Sequence, residues 1–311
     1  MNPVKLAILG SEPVADAWTP YDPADFGGTK RNVGDGKTYS TIAAAISAAS
    51  AGDTICIYDK SGGYTETTYY DVDKNLSIVC IDTPSASTQL ICGFYVHGAT
   101  LNCYGLYFNM QQSNIVGTLY ITAGTTTFER CYIRYSDSSY SSSEIITITG
   151  DCTLDFKSCI VNGYNSNSNY VPDWLLDNSY SDTITLTNCL CINCGTFSYY
   201  TAAGNTSTFY NCYGEEGSSD AWEGGTNAGD YNAGSDTSAP GANSVDNAAV
   251  ATHFDTTLDS VQPKTGSSLL TAGTSAQKPA CGDYFGWAWG DDTPIGAISK
   301  PTTLRLPPNM T

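Results

Sequence analysis

Four groups of residues have the types and spacing to do chemistry. Cys189-Leu-Cys191-Ile-Asn-Cys194 brings three thiols within six positions, and thiolates so placed can converge on zinc. No further Cys or His lies near enough in sequence to complete four ligands. On a strand Cys189 and Cys191 share one face, which packing alone explains. Asp173, Asp177 and Asp182, with Asn165, Asn167 and Asn169, supply oxygen ligands that suit calcium, without the spacing of a helix-loop-helix calcium site. Calcium is the one cofactor this pattern suggests, and a solvated loop is the favoured reading over it. Tyr164, Tyr170, Trp174 and Tyr180 cluster in one stretch, and Tyr213, Trp222 and Tyr231 in another. Exposed rings beside acids and amides make platforms for neutral glycans, because a flat ring stacks on a sugar face; the same residues are enriched at protein interfaces. The fourth group is acids: hydrolysis of a polysaccharide needs a carboxyl pair, one member with a raised pKa. Asp291-Asp292 is the one adjacent pair of aspartates, and no catalytic residue is assigned.

What must position these residues is a repeated line. It reads Ala99-Thr-Leu-Asn-Cys103, Thr127-Phe-Glu-Arg-Cys131, Asp155-Phe-Lys-Ser-Cys159, Ile184-Thr-Leu-Thr-Asn-Cys189 and Thr208-Phe-Tyr-Asn-Cys212, with Cys80 one step earlier. The cysteines at 80, 103, 131, 159, 189 and 212 are 23, 28, 28, 30 and 23 residues apart. A period in this range marks a solenoid, each repeat one coil. Short alternating runs such as Ile145-Ile-Thr-Ile-Thr, rich in β-branched residues, make the coils β rather than α. Gly98, Gly124, Gly150 and Gly204 precede these lines and predict a bend recurring at one corner. The expected fold is all-β: a parallel β-helix whose six cysteines stack as one internal ladder of free, buried thiols.

Composition narrows the function. The 311 residues carry a net charge of −18 from only 14% charged residues, with four arginines and nine lysines. Nucleic acid, which needs a basic stripe, is not an expected partner, and polyanionic sugars are disfavoured for the same reason. No stretch approaches the ~20 apolar residues of a membrane span. The apolar run after Lys5 is too short for a signal-peptide core, so a virion, or an extracellular or cell-surface place reached by a non-Sec route, is the expected location.

Taken in order, residues 1–33 read as an arm. Residues 34–53 form a cap whose Tyr39, Ile42, Ile46 and Ala49 share one helical face. Residues 54–236 are the β-helix body, 237–299 an irregular C-terminal cap, and 300–311 an extended, proline-rich tail. Gly34-Asp-Gly-Lys-Thr-Tyr39-Ser-Thr-Ile42-Ala-Ala-Ala-Ile46, followed by Gly52-Asp53-Thr-Ile55, resembles the N-terminal cap of right-handed parallel β-helix proteins of the pectin-lyase-like superfamily. Tyr231-Asn-Ala-Gly-Ser-Asp236-Thr-Ser-Ala-Pro240-Gly241, Gly266-Ser-Ser-Leu-Leu-Thr-Ala272-Gly273 and Ile295-Gly296-Ala297 are similar to closing segments of environmental bacterial and phage members. The resemblance covers residues 34–298 and implies a right-handed coil. It does not imply one activity, since the fold hosts lyases, hydrolases, adhesins and viral spikes. The uronate-hydrolase set is not found, and His97-Gly98 lacks its leading glycine. A lyase would need a base such as Arg130 or Arg134 beside calcium-binding acids, and only Glu129 is near.

The expected function is therefore a structural or adhesive component of a phage particle, such as a capsid decoration, head fibre or tail spike. A carbohydrate-active or glycan-binding surface protein is the alternative, and a self-assembling filament subunit a third. In each, the two terminal arms carry assembly with other virion or filament proteins, host glycans are possible ligands, and a homo-oligomer is expected.

Overall fold

The computed structural model describes residues 18–66, 69–82, 84, 88–91, 93–110, 119–135, 146–162, 183–192, 206–215, 226–257, 260–264, 266–281, 283 and 294–297. They form a right-handed parallel β-helix. One sheet stacks the strands Lys30–Val33, Thr54–Ile57, Leu76–Cys80, Phe94–Tyr104, Leu119–Glu129, Cys152–Lys157, Thr183–Thr187, Thr206–Tyr210 and Thr226–Asp230. A second stacks Tyr107–Met110, Tyr132–Tyr135, Ile160–Asn162, Leu190–Ile192, Tyr213–Gly214 and Ala233–Gly234. Every pairing in both stacks is parallel, so each side chain lies over its equivalent one coil below, at about 4.8 Å.

The corner from the first sheet to the second is built by one residue in the left-handed region. These are Gly105 (φ 62°), Arg130 (55°), Ser158 (52°), Asn188 (52°), Asn211 (55°) and Tyr231 (58°). Glycine and asparagine adopt this conformation most readily; Arg130 is held there by its surroundings, described below. Of the glycines expected at a corner, Gly204 lies outside the described residues and Gly150 stands in the bend before Cys152–Lys157. Gly98 and Gly124 lie inside the two longest strands, where pairing slips between Val96 and Ala99. There a Cβ on Gly124 would meet the Ala99 carbonyl oxygen at 2.2 Å. They relieve a bulge within the sheet.

Inside the coils, Ile55, Ile78, Cys103, Phe128, Phe156, Leu186 and Phe209 make one row. Three residues further on, just past the corner, Cys131, Cys159, Cys189 and Cys212 make the thiol row. The amides that follow them bond to the carbonyls of the row below, as from Ile160 to Cys131 and from Leu190 to Cys159, both at 2.9 Å. The ladder thus has four members rather than six. Cys103 falls two residues before its corner residue and joins the aromatic row, while Leu106 takes the place under Cys131. Cys80 is paired with Ile57. All six are buried and free. Neighbouring thiols are within hydrogen-bond reach of each other, and Cys212 Sγ also donates to the Leu186 carbonyl at 3.4 Å. Burial pushes the thiols of Cys103, Cys131, Cys159 and Cys189 far above their ordinary range. Because the thiolate is the reactive form, these cysteines will resist an aromatic disulfide reagent at mildly alkaline pH until the protein is unfolded. Outside the half-buried Cys281 and the undescribed Cys92 and Cys194, labelling of the native protein within minutes would contradict this packing.

Both ends of the described chain fold back onto the body. The cap helix Ile42–Ala48 is capped by Thr41, whose side chain accepts from the Ala44 amide, and it buries Ile42, Ala45 and Ile46 over the first coil. Residues 30–33, read from sequence as part of an arm, are a strand of the main sheet. The Asp53 carboxylate ties this region together, accepting from Thr29 N (3.0 Å), Ser50 N (3.0 Å) and Arg31 Nη2 (2.8 Å). The Ser50 amide and the Arg31 guanidinium hold its carboxyl down to about 2. At the far end Asn232 replaces cysteine in the ladder position. It receives the Cys212 amide at 3.0 Å and donates to the Phe209 and Pro240 carbonyls at 3.0 Å, a polar closure for the last coil.

The outer face of the second sheet is a second core. Tyr107, Tyr132, Ile160, Leu190 and Tyr213 are covered by Trp18 from the N-terminal side and by Ala248, Phe254, Leu269, Ile295 and Ala297 from the C-terminal side. The corner asparagines anchor this cover. Asn211 accepts from Thr274 N at 2.7 Å and donates to Thr274 O at 3.1 Å, and Asn188 donates to Pro294 O at 3.2 Å. The segment expected as a cap therefore straps the side of the rod as well as its end. Among the described residues no helix is long and apolar enough to cross a membrane.

Candidate functional site: a tyrosine and carboxylate groove

Most of the aromatic residues singled out from sequence, Tyr164, Tyr170, Trp174, Tyr180 and Trp222, lie outside the described residues. So do Asp173, Asp177, Asp182, Asp291, Asp292 and Cys194. Two are placed. Tyr213 is fully buried, its hydroxyl donating to Ala248 O at 2.8 Å and its ring against Phe254 at 4.7 Å. It points outward from its strand as expected, but the C-terminal strap covers that face, so it offers no ring to a glycan. Tyr231 is half-buried at the last corner. Cys189 and Cys191 are both buried in the core, and no group of three or more His, Cys, Asp or Glu able to hold a metal occurs among the described residues. Arg130 and Arg134 are buried as well.

The exposed rings that do converge are on the early coils. In Phe94–Tyr104 and Leu119–Glu129 the side chains alternate in and out: Phe94, Val96, Leu119 and Ile121 are buried, while Tyr95, His97 and Tyr120 face outward and are half-buried. Register places Asp71, Tyr95, Tyr120 and Thr147 in one row across the sheet. The Tyr95 and Tyr120 rings meet edge to face at 4.8 Å, and Tyr69 stands 6.5 and 6.4 Å from them. The His97 ring lies against Tyr95, centroids 3.8 Å apart and planes tilted by 59°, and its Nε2 is 2.8 Å from Asp71 Oδ1. A half-buried aromatic strip of three coils results, with an ionisable pair on its edge.

The strip runs into a cleft between the cap helix and the strand Tyr70–Val72. The cleft has a volume of about 350 Å³ and is lined by Ala43, Ile46 and Ser47 of the helix and by Glu66, Tyr69, Asp71, Asp73 and Lys74. Glu66 fixes the two walls, accepting from Ile42 N at 3.2 Å and from Tyr70 Oη at 2.7 Å. Flat rings beside a polar cleft at the small end of the ligand-pocket range, about 300–1,000 Å³, suit one or two sugar units. The arrangement can stack a pyranose face and bond its hydroxyls to carboxylates.

Sequence reasoning missed Tyr69, Asp71, Tyr95 and Tyr120, and weighed His97 only against the uronate-hydrolase motif. One signal was legible: Phe94-Tyr-Val-His97 and Leu119-Tyr-Ile121 both alternate, with a tyrosine in the outward position one coil apart. Comparison with known protein families, curated proteins and solved structures finds no match to this chain. What the chain does is therefore argued from the groove.

Proposed function

We propose that this chain is an adhesive β-solenoid of the pectin-lyase-like kind that binds a glycan along the Tyr69–Tyr95–Tyr120 strip. The observation that carries the reading is a cluster of three half-buried rings: Tyr95 and Tyr120 are paired in register, Tyr69 stands beside them, and all lie within 6.5 Å of one another. An ordinary outward strand face would place polar side chains there, since single exposed rings are common but contiguous ones mark contact sites. The β-helix supplies a rigid support, and the net charge of −18 disfavours polyanionic ligands by repulsion. Such a rod suits the surface of a virus particle or a cell.

The test is retention of the protein on immobilised neutral polysaccharides, β-glucan, mannan and chitin. Tyr95→Ala/Tyr120→Ala leaves every core row intact. Each stacking ring contributes about 0.5–1.5 kcal/mol, so the double variant is expected to bind about tenfold or more weakly with an unchanged unfolding midpoint. Equal binding by the variant, or no binding by the unaltered protein to any member of the panel, would overturn the proposal.

A further inference from the structure

We infer that the groove is built for a cationic sugar, an oligomer of hexosamines carrying free amines. The inference rests on the glycan-binding reading and adds the class of glycan. Three carboxylates border the cleft that continues the tyrosine strip: Glu66, Asp71 and Asp73. Asp71 and Asp73 present 75% and 71% of their side-chain surface to solvent. Glu66 has both oxygens engaged by an amide and a hydroxyl, neither of which cancels its charge. Two basic groups face these acids. Lys74 is turned away onto the carbonyls of Ile46 and Ala49 at the end of the cap helix, both at 3.3 Å, and stands 3.8 Å from Asp73. His97 neutralises Asp71 only when protonated. The cleft thus keeps a negative excess next to clustered rings.

That combination discriminates among sugars. A pyranose lying on Tyr95 would carry an equatorial amine along the row toward Asp71, and an ammonium gains from both the carboxylates and the ring face. An N-acetyl group removes the charge and this gain. A uronate meets repulsion from all three acids. Ion pairs at solvent-exposed positions are individually modest and are weakened by salt, so the preference for the free amine is expected to be about tenfold rather than absolute.

The experiment titrates the full chain with glucosamine oligomers, with N-acetylglucosamine oligomers of equal length and with an oligolysine of matched charge, in neutral, low-salt buffer. The expected result is about tenfold tighter binding of the free-amine sugar, lost on adding salt. In Asp71→Asn/Asp73→Asn this preference should collapse while binding of the acetylated sugar persists. Equal affinity for the two sugars would overturn the inference and leave the glycan-binding proposal standing. Failure of both sugars to bind would overturn the inference, and the glycan-binding proposal falls with it only if β-glucan and mannan are not retained either. Oligolysine binding as tightly as the amino sugar would show that charge alone is read, and would also overturn the inference.

Discussion

Phe156→Ala will lower the unfolding free energy by about 3–5 kcal/mol, the upper range for emptying an aromatic site in a close-packed core. Phe156 is fully buried, and its ring lies flat on that of Phe128, centroids 4.7 Å apart and planes 4° apart. Its carbonyl also receives the Cys189 thiol at 3.6 Å. A coil cannot collapse into the space, because parallel hydrogen bonds to Leu119–Glu129 on one side and Thr183–Thr187 on the other fix its height. The cavity term is therefore retained almost in full. Phe156→Leu, which keeps most of the volume, should cost less than about 1.5 kcal/mol. Denaturant titration followed by circular dichroism gives both values. A loss below about 1 kcal/mol for the alanine variant would mean that the aromatic row is not the continuous core described here.

Trp18→Ala will have an effect of the same order, about 3–5 kcal/mol, although residue 18 falls in what the sequence suggests is a dispensable arm. Trp18 is nearly fully buried in the second core. The Arg130 guanidinium lies 4.2 Å from its ring and 4.5 Å from that of Tyr21, and Nη2 donates to the Thr19 carbonyl at 2.6 Å. These contacts hold a non-glycine residue in the left-handed corner conformation, which costs roughly 1–2 kcal/mol unaided. Gly105 is the corner residue one coil below, and a Cβ there would stand 2.7 Å from the Trp18 ring. Removing residues 1–33 takes away Trp18 and the strand Lys30–Val33 together, uncovering the edge of Thr54–Ile57. That deletion should give an insoluble or partly unfolded product, whereas removing residues 1–17 alone leaves all of these contacts. Equal stability of the two truncated forms, measured by thermal unfolding, would contradict the docking of residues 18–33.

The contrast between these cores shows what is local in the sequence and what is not. The coil period, the inward aromatic residue and the cysteine three places later follow from backbone repeats, and they are visible in the chain. The row to which each cysteine belongs is not. It depends on where the left-handed residue falls, and Gly105, Arg130, Ser158, Asn188, Asn211 and Tyr231 are of five different types. Strand alternation likewise shows that Tyr213, Tyr95 and Tyr120 all point outward. Whether outward means solvent is decided by segments far away in sequence: Ala248 and Phe254 cover Tyr213, and nothing described covers Tyr95. The groove itself arises because Tyr69 and Asp71, before the first cysteine of the repeat, are carried beside Tyr95 and Tyr120 by the stacking of coils.

The claim that this groove is the binding site is tested most directly by fluorine NMR of protein labelled with 3-fluorotyrosine, titrated with glucosamine and N-acetylglucosamine oligomers. Single Tyr→Phe substitutions assign the resonances. The account predicts that the signals of Tyr69, Tyr95 and Tyr120 move together with sugar concentration, while the buried Tyr107, Tyr132 and Tyr213 stay fixed. Shifts confined to tyrosines outside the groove, such as Tyr164, Tyr170 and Tyr180, or no shift with either sugar, would contradict it.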